Sequence, residues 1–208
     1  PGMIGVVNKE SRETFEWFQD NGLLPSIEED GKLQLFFRWF QGYCFPVPAF
    51  KMYYLIHKDT QYLRQLYHTL ERFDHYLWKY RDSNHDGCLE TWCVYDTGED
   101  ESIRFEGAPL CWEGETPPSG IGKVPYASMD VMGYSCNGRD VLADISKELN
   151  NGMEEYWRNK ADEVRKKIKE YLWREEKHAC YDRDCNNEFM DTLLHNNLRV
   201  MYYGGFSQ

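Results

Sequence analysis

The sequence predicts an all-α fold of antiparallel helices with long loops gathered at one end. Three features predict it. Thr60 to Tyr80 carries Leu63, Leu66, Leu70, Phe73 and Leu77 at the three-to-four spacing of one buried helix face, with Tyr67 beside them and Arg64, Glu71 and Lys79 opposite. Two more helical-period segments, Asp130 to Leu149 and Met153 to Leu172, are separated only by a turn at Asn150-Asn151-Gly152, which makes them antiparallel neighbours. Between Glu90 and Ala127 the periodicity stops, and Pro109, Pro117, Pro118, Gly120, Gly122 and Pro125 exclude a long helix there.

In chain order, Lys9 to Asp20 reads as a short amphipathic helix around Phe15, Trp17 and Phe18, closed by Asn21-Gly22, which tolerate a left-handed backbone. Pro25 to Lys32 is a polar loop, and Leu33 to Phe40 is an aromatic, nearly continuous run expected to be buried. Gly42, Pro46 and Pro48 break the chain, and a helix restarts near Pro48, because proline suits a first turn. Asp82 to Gly87 is a turn.

The helix from Asp130 buries Val131, Val141, Leu142, Ile145 and Leu149; Gly133 and Gly138 within it each cost about 1 kcal/mol, which close approach of a neighbouring helix would offset. The helix from Met153 buries Trp157, Ala161, Val164, Ile168 and Leu172. Trp173 to Asp184 holds a small strand or hairpin around Ala179-Cys180-Tyr181, and Asn186 to Gln208 shows no pattern. Residues 1–208 read as a single domain.

The chain of 208 residues carries a formal net charge of −11, which disfavours nucleic acid and anionic membrane surfaces as partners and is compatible with a neutral, polyhydroxylated ligand. No apolar run approaches the roughly 18 residues of a membrane span, and Pro1-Gly2-Met3-Ile4 has no secretory pattern, so the chain reads as soluble, cytoplasmic or periplasmic. Seven Trp, 15 Tyr and 11 Phe exceed what a small core needs and point either to a core of large side chains or to an aromatic-lined groove. The cysteines, at 44, 88, 93, 111, 136, 180 and 185, form no C-x-x-C pair and read as reduced, half-buried thiols, although Cys180 and Cys185 could meet across a hairpin. The histidines lack ligand spacing, and neither a G-x-S-x-G elbow nor a phosphate-binding glycine loop is present.

The chemistry concentrates in Trp92-Cys93-Val94-Tyr95-Asp96-Thr97-Gly98-Glu99-Asp100-Glu101-Ser102-Ile103-Arg104-Phe105, where four carboxylates fall between Asp96 and Glu101. Aromatics frame them, with Trp112 further on. A protonated carboxyl delivers a proton to a glycosidic oxygen, and flat rings stack on sugar faces. Just upstream, Asp82-x-Asn84-x-Asp86-Gly87 matches the first half of a calcium loop with Glu90 at its ninth position, but Cys93 stands where the bidentate Glu belongs. A tight Asn/Asp/Gly turn is the simpler reading. A structural calcium on Asp82, Asn84, Asp86 and Glu90 is the alternative, and no other cofactor is expected.

The segment Asp96 to Phe105 resembles the Glu/Asp-Ser/Thr-Gly-x-Asp-x-Ser-x-Arg-aromatic loop of the inverting six-hairpin glycosidases. These are the (α/α)6-barrel enzymes of glycoside hydrolase families 37 (trehalases) and 63 (processing α-glucosidase and its bacterial relatives). Arg81 to Glu90, Gln41 to Pro46, and Leu172-Trp173-Arg174-Glu175-Glu176 with Tyr181 to Asp184 resemble further segments of that family in the same order, covering roughly residues 40 to 205.

The resemblance implies part of an (α/α)6 toroid, with Asp100 as general acid cleaving α-linked glucosides or related oligosaccharides. It maps Asp96, Gly98 and Arg104 onto family loop positions as candidates for substrate contact, Arg104 more as an ion-pair lock on the loop than as a sugar ligand; Gln41, Trp92, Tyr95 and Trp112 are further candidates, with an aromatic core the other reading of the rings. Glu99 and Glu101 depart from the family pattern, and their charge would raise the pKa of Asp100. A complete barrel needs a much longer chain, so the sequence reads as a fragment with the catalytic base, a Glu, outside it. Asp96, Asp130 and Glu188 are weaker candidates for that base within the chain. A sugar-binding or scaffold remnant is the alternative function. An isomerase would want a histidine pair and a phosphorylase a cationic phosphate site, and the sequence marks neither.

Overall fold

The computed structural model describes residues 26–27, 33–34, 46–99, 102–112, 114 and 116–206. Its helices are α1 (Pro46–Leu55), α2 (Thr60–Tyr80), α3 (Met129–Leu149), α4 (Glu154–Lys167) and α5 (Asn196–Tyr202). The strands are two residues each and pair in antiparallel twos: β1 (Ser26–Ile27) with β2 (Leu33–Gln34), β3 (Glu90–Thr91) with β4 (Tyr126–Ala127), and β5 (Trp173–Arg174) with β6 (Ala179–Cys180). The domain is therefore helical. The expected helix at Lys9 to Asp20, most of the run Leu33 to Phe40, and the residues Gln41, Asp100 and Glu101 lie outside the described residues.

The periodic segments fold as their patterns dictate. α2 spans Thr60 to Tyr80 and buries Leu63, Leu66, Tyr67, Leu70, Phe73 and Leu77; Asp59 caps it by accepting from the backbone N–H groups of Gln61 and Tyr62. α3 and α4 form a hairpin closed by Asn150, whose φ of 47° is the left-handed cap its side chain tolerates. The last turn of α4 continues as a π-helical turn at Ile168–Leu172. One boundary differs from expectation: α1 takes in both Pro46 and Pro48 rather than starting at the second. Both prolines fall in the first turn, where no N–H partner is required.

α3 is the hub, packed by α4, α2, α5 and α1. The shared core joins Leu63, Leu70 and Leu77 of α2 to Met132, Leu142 and Ile145 of α3 and to Trp157, Ala161 and Val164 of α4. Polar ties fix the register: Trp157 Nε1 donates to Tyr67 Oη at 2.9 Å, and Arg139 grips Asp74 while stacking on Trp78. The expected partner of Gly133 is α5, since a Cβ there would stand 3.5 Å from Val200 Cα; at Gly138 nothing lies within 4 Å. The cysteines at 88, 93, 111, 136, 180 and 185 are free; Cys180 is buried and Cys185 exposed, so they do not pair. Among the described residues no helix is long and apolar enough to cross a membrane.

Pairing of β3 with β4 joins the two ends of the long loop, Glu90 opposite Ala127 and Thr91 opposite Tyr126. Ala127 also exchanges backbone hydrogen bonds with Arg183, which brings the segment after β6 against the N-terminus of α3. The loop therefore leaves and returns at one end of the helical layer.

Candidate active site

Two buried arginines pin the acidic loop, one at each end. At the near end, Arg81 follows the last residue of α2, and its guanidinium makes a bidentate pair with Asp96, Nη1 to Oδ2 at 2.7 Å and Nη2 to Oδ1 at 3.2 Å. Asp96 also accepts from the backbone N–H groups of Trp92 and Cys93. The Trp92 ring lies 4.2 Å from the Arg81 guanidinium carbon, and its Nε1 donates to Glu90. Trp92 and Asp96 are both buried, so neither offers a free face to a sugar as the loop stands.

At the far end stands Arg104, fully buried. Nη1 and Nη2 donate to the two oxygens of Asp130 at 3.0 Å each, Nη1 reaches Glu99 Oε2 at 3.2 Å, and Nη2 donates to Ser128 Oγ at 2.7 Å. Nε lies 2.7 Å from Asp182 Oδ2, an ion pair too bent to be a hydrogen bond. Asp182 Oδ1 accepts from the N–H of Met129, the first residue of α3, so a carboxylate sits on the positive end of that helix. From α5, Asn196 Nδ2 donates to Glu99 Oε1 at 2.5 Å and to Asp130 Oδ2 at 2.8 Å, and Arg199 Nη1 lies 3.3 Å from Glu99 and 3.5 Å from Asp130. His195 Nε2 stands 3.4 Å from Glu99 Oε1.

The remaining candidates occupy the exposed side of this frame. Gly98 is exposed at φ 64°, a backbone conformation that L side chains rarely adopt. Tyr95 is half-buried, and its N–H donates to the Leu110 carbonyl. Trp112 is half-buried, its Nε1 donating to the Thr116 carbonyl at 2.7 Å. Glu99 and Ser102, the described residues on either side of Asp100 and Glu101, are joined by a backbone hydrogen bond of 3.1 Å. Glu99 itself is paired with both Arg104 and Arg199.

Asp96 and Asp130 do not suit the part of a base that activates water, since both are buried and saturated by donors. Glu188 is exposed on the turn after β6, where its N–H donates to Asp184. The half calcium loop is a hydrogen-bonded turn: Asp82 accepts from Gly87 N–H, Asn84 from Asp86 N–H, and Asp86 from Cys88 N–H. Glu90 turns away to Ser83 and Trp92, so these oxygens do not converge. Among the described residues no three His, Cys, Asp or Glu side chains gather to hold a metal ion.

The two central carboxyls of the cluster differ in their supply of donors, and burial acts on both. Asp130 would be raised by burial, yet Arg104, Ser128 and Arg199 hold it below the usual carboxylate range. Burial and neighbouring Asp130 push Asp182 up, to about 6, against the pull of Arg104 and the Met129 N–H. Its proton is therefore held more tightly in the folded than in the unfolded chain. That contribution is fully present below the ordinary value of 3.8 and is lost as pH rises through about 6. Asp182→Asn is expected to flatten the fall in stability across that window. Urea unfolding at a series of pH values measures it; equal slopes in the two proteins would refute the assignment.

A family model described as the mannosylglycerate hydrolase MGH1-like glycoside hydrolase domain matches residues 17–206. The chain belongs to this family. It is thus a glycoside hydrolase domain whose substrate is a carbohydrate. The match supports the glycosidase part of the resemblance drawn from the sequence without pointing to glycoside hydrolase families 63 or 37 in particular. No curated protein matches the chain.

In this glycoside hydrolase domain the sequence motif marked Asp96, Asp100 and Arg104 but not the partners that hold the loop. Arg81 and Asp182 stand in segments marked in the sequence only by their resemblance to the family, and Asn196 and Arg199 lie in a stretch without pattern. A basic residue at the exact end of a strong helix, followed by an acidic loop, is the signal that would have found Arg81.

Proposed function

We propose that this domain hydrolyses an α-glycosidic bond with inversion, with Asp100 as general acid and a carboxylate outside these residues as base. The observation that carries the reading is the loop Asp96 to Phe105, whose Asp96 and Arg104 are locked on either side of the proposed acid by buried ion pairs. In this reaction one carboxylic acid protonates the leaving oxygen while a second carboxylate, about 6.5–9.5 Å away, activates water on the opposite sugar face. Removal of Asp96 and Asp130 into ion pairs supports placing the base elsewhere. Such chemistry runs on carboxyl groups and water, and we assign it no cofactor. Gln41, Tyr95, Gly98 and Trp112 remain the proposed sugar contacts.

The test is the anomer released in the first turnovers of the full-length protein, followed by proton NMR on α-glucosides. Mannosylglycerate is run beside them because the matched family carries the name of a mannosylglycerate hydrolase. An α-glycoside should yield the β-anomer first; an α-anomer first would show a retaining mechanism and overturn the reading.

A further inference from the structure

The acid loop is gripped by a short helix remote from it in sequence. α5 brings Asn196 and Arg199, one turn apart, onto the segment Thr97 to Glu99. Arg199 Nη1 donates to the Thr97 carbonyl at 3.0 Å and pairs with Glu99 at 3.3 Å, so one guanidinium spans both sides of Gly98. Tyr134 of α3 holds that guanidinium from behind at 3.1 Å. Asn196, fully buried, fixes the same Glu99 oxygen and ties it to Asp130.

We propose that Arg199 and Asn196 are positioning residues for the general acid: they clamp the backbone at 97–99 so that the next carboxyl meets the glycosidic oxygen. This rests on the reading of Asp100 given above. The physical need lies at Gly98, which has a left-handed φ and no atom within 4 Å of where a Cβ would stand, so the loop would pivot there unless its two neighbours were held. Misplacing a reacting group by about 1 Å costs on the order of 10²-fold in rate. Arg199 and Asn196 hold the residues flanking this pivot, and neither residue needs to touch substrate to act.

Leaving-group dependence separates positioning from plain stabilisation. Fluoride leaves the anomeric carbon of a glycosyl fluoride without full protonation, whereas the alkoxide of an unactivated glycoside needs the acid's proton. Arg199→Ala in the full-length protein is expected to lose about 10²-fold in kcat/KM on the unactivated glycoside and to stay near wild type on the fluoride of the same sugar. Equal losses on both substrates, or no loss on either, would overturn the proposal. Should Arg199→Ala fail to fold, Arg199→Gln, which keeps an amide donor, carries the same comparison. Asp100→Asn run in parallel keeps the two readings apart. If it shows the selective loss and the Arg199 variant does not, only the positioning proposal falls. If Asp100→Asn shows no selectivity, the acid assignment itself falls, and the clamp falls with it.

Discussion

Asp100→Asn is expected to lower kcat on an unactivated glycoside by roughly 10²–10⁴-fold, the usual contribution of a positioned general acid. The amide matches the carboxyl in size and removes only the transferable proton, so unfolding by urea should be little changed. The pH profile gives a second, independent check. A general acid works only while protonated, so wild-type kcat/KM falls as pH rises past its pKa, and the variant should lose that alkaline limb. Activity within about tenfold of wild type, with the limb intact, would remove Asp100 from the mechanism. Mutation of Asp96 gives a contrasting pattern. That carboxylate is buried against Arg81 and two backbone N–H groups, so its loss should lower stability and activity together.

Helices α2, α3 and α4 are legible in the sequence because each must bury one face, and burial of a face writes itself as a three-to-four repeat. α5 is not legible for the converse reason. Leu198, Met201 and Tyr202 are exposed, while its inward residues are Val200 and the polar Asn196 and Arg199, so a single apolar position marks its buried face. The acid loop shows in the sequence as a local motif, yet what holds it is non-local. Arg81 is far from Asp96 on the chain, Arg104 farther still from Asp130 and Asp182, and Arg199 on the other side of the domain's sequence from Thr97. A carboxylate's partner across such a distance depends on how β3, β4 and the segment after β6 come together, which no periodicity encodes. The half calcium loop carries two readings for a related reason: Asp and Asn at alternate positions serve an Asx turn as well as a cation.

The network predicts its own weakest point. Arg104→Ala should destabilise the domain by about 3–5 kcal/mol, the range for removing one partner from a buried ion pair. Glu99 and Asp130 would then keep Arg199, with His195 beside Glu99. Arg199 reaches these two but not Asp182, whose ion pair is with Arg104. Restoring the volume with Arg104→Met should not recover the loss, because the cost lies in uncompensated charge rather than in a cavity. Removing the stranded charge should recover part of it, so the double variant Arg104→Met with Asp182→Asn is expected to be more stable than Arg104→Met alone. Urea unfolding of the three proteins near pH 7 measures the difference. If Arg104→Met were within about 1 kcal/mol of wild type, the cluster would be no more than a surface-like pairing. If the double variant were less stable than the single one, the Asp182 carboxylate would be contributing through Met129 at the head of α3 rather than through Arg104.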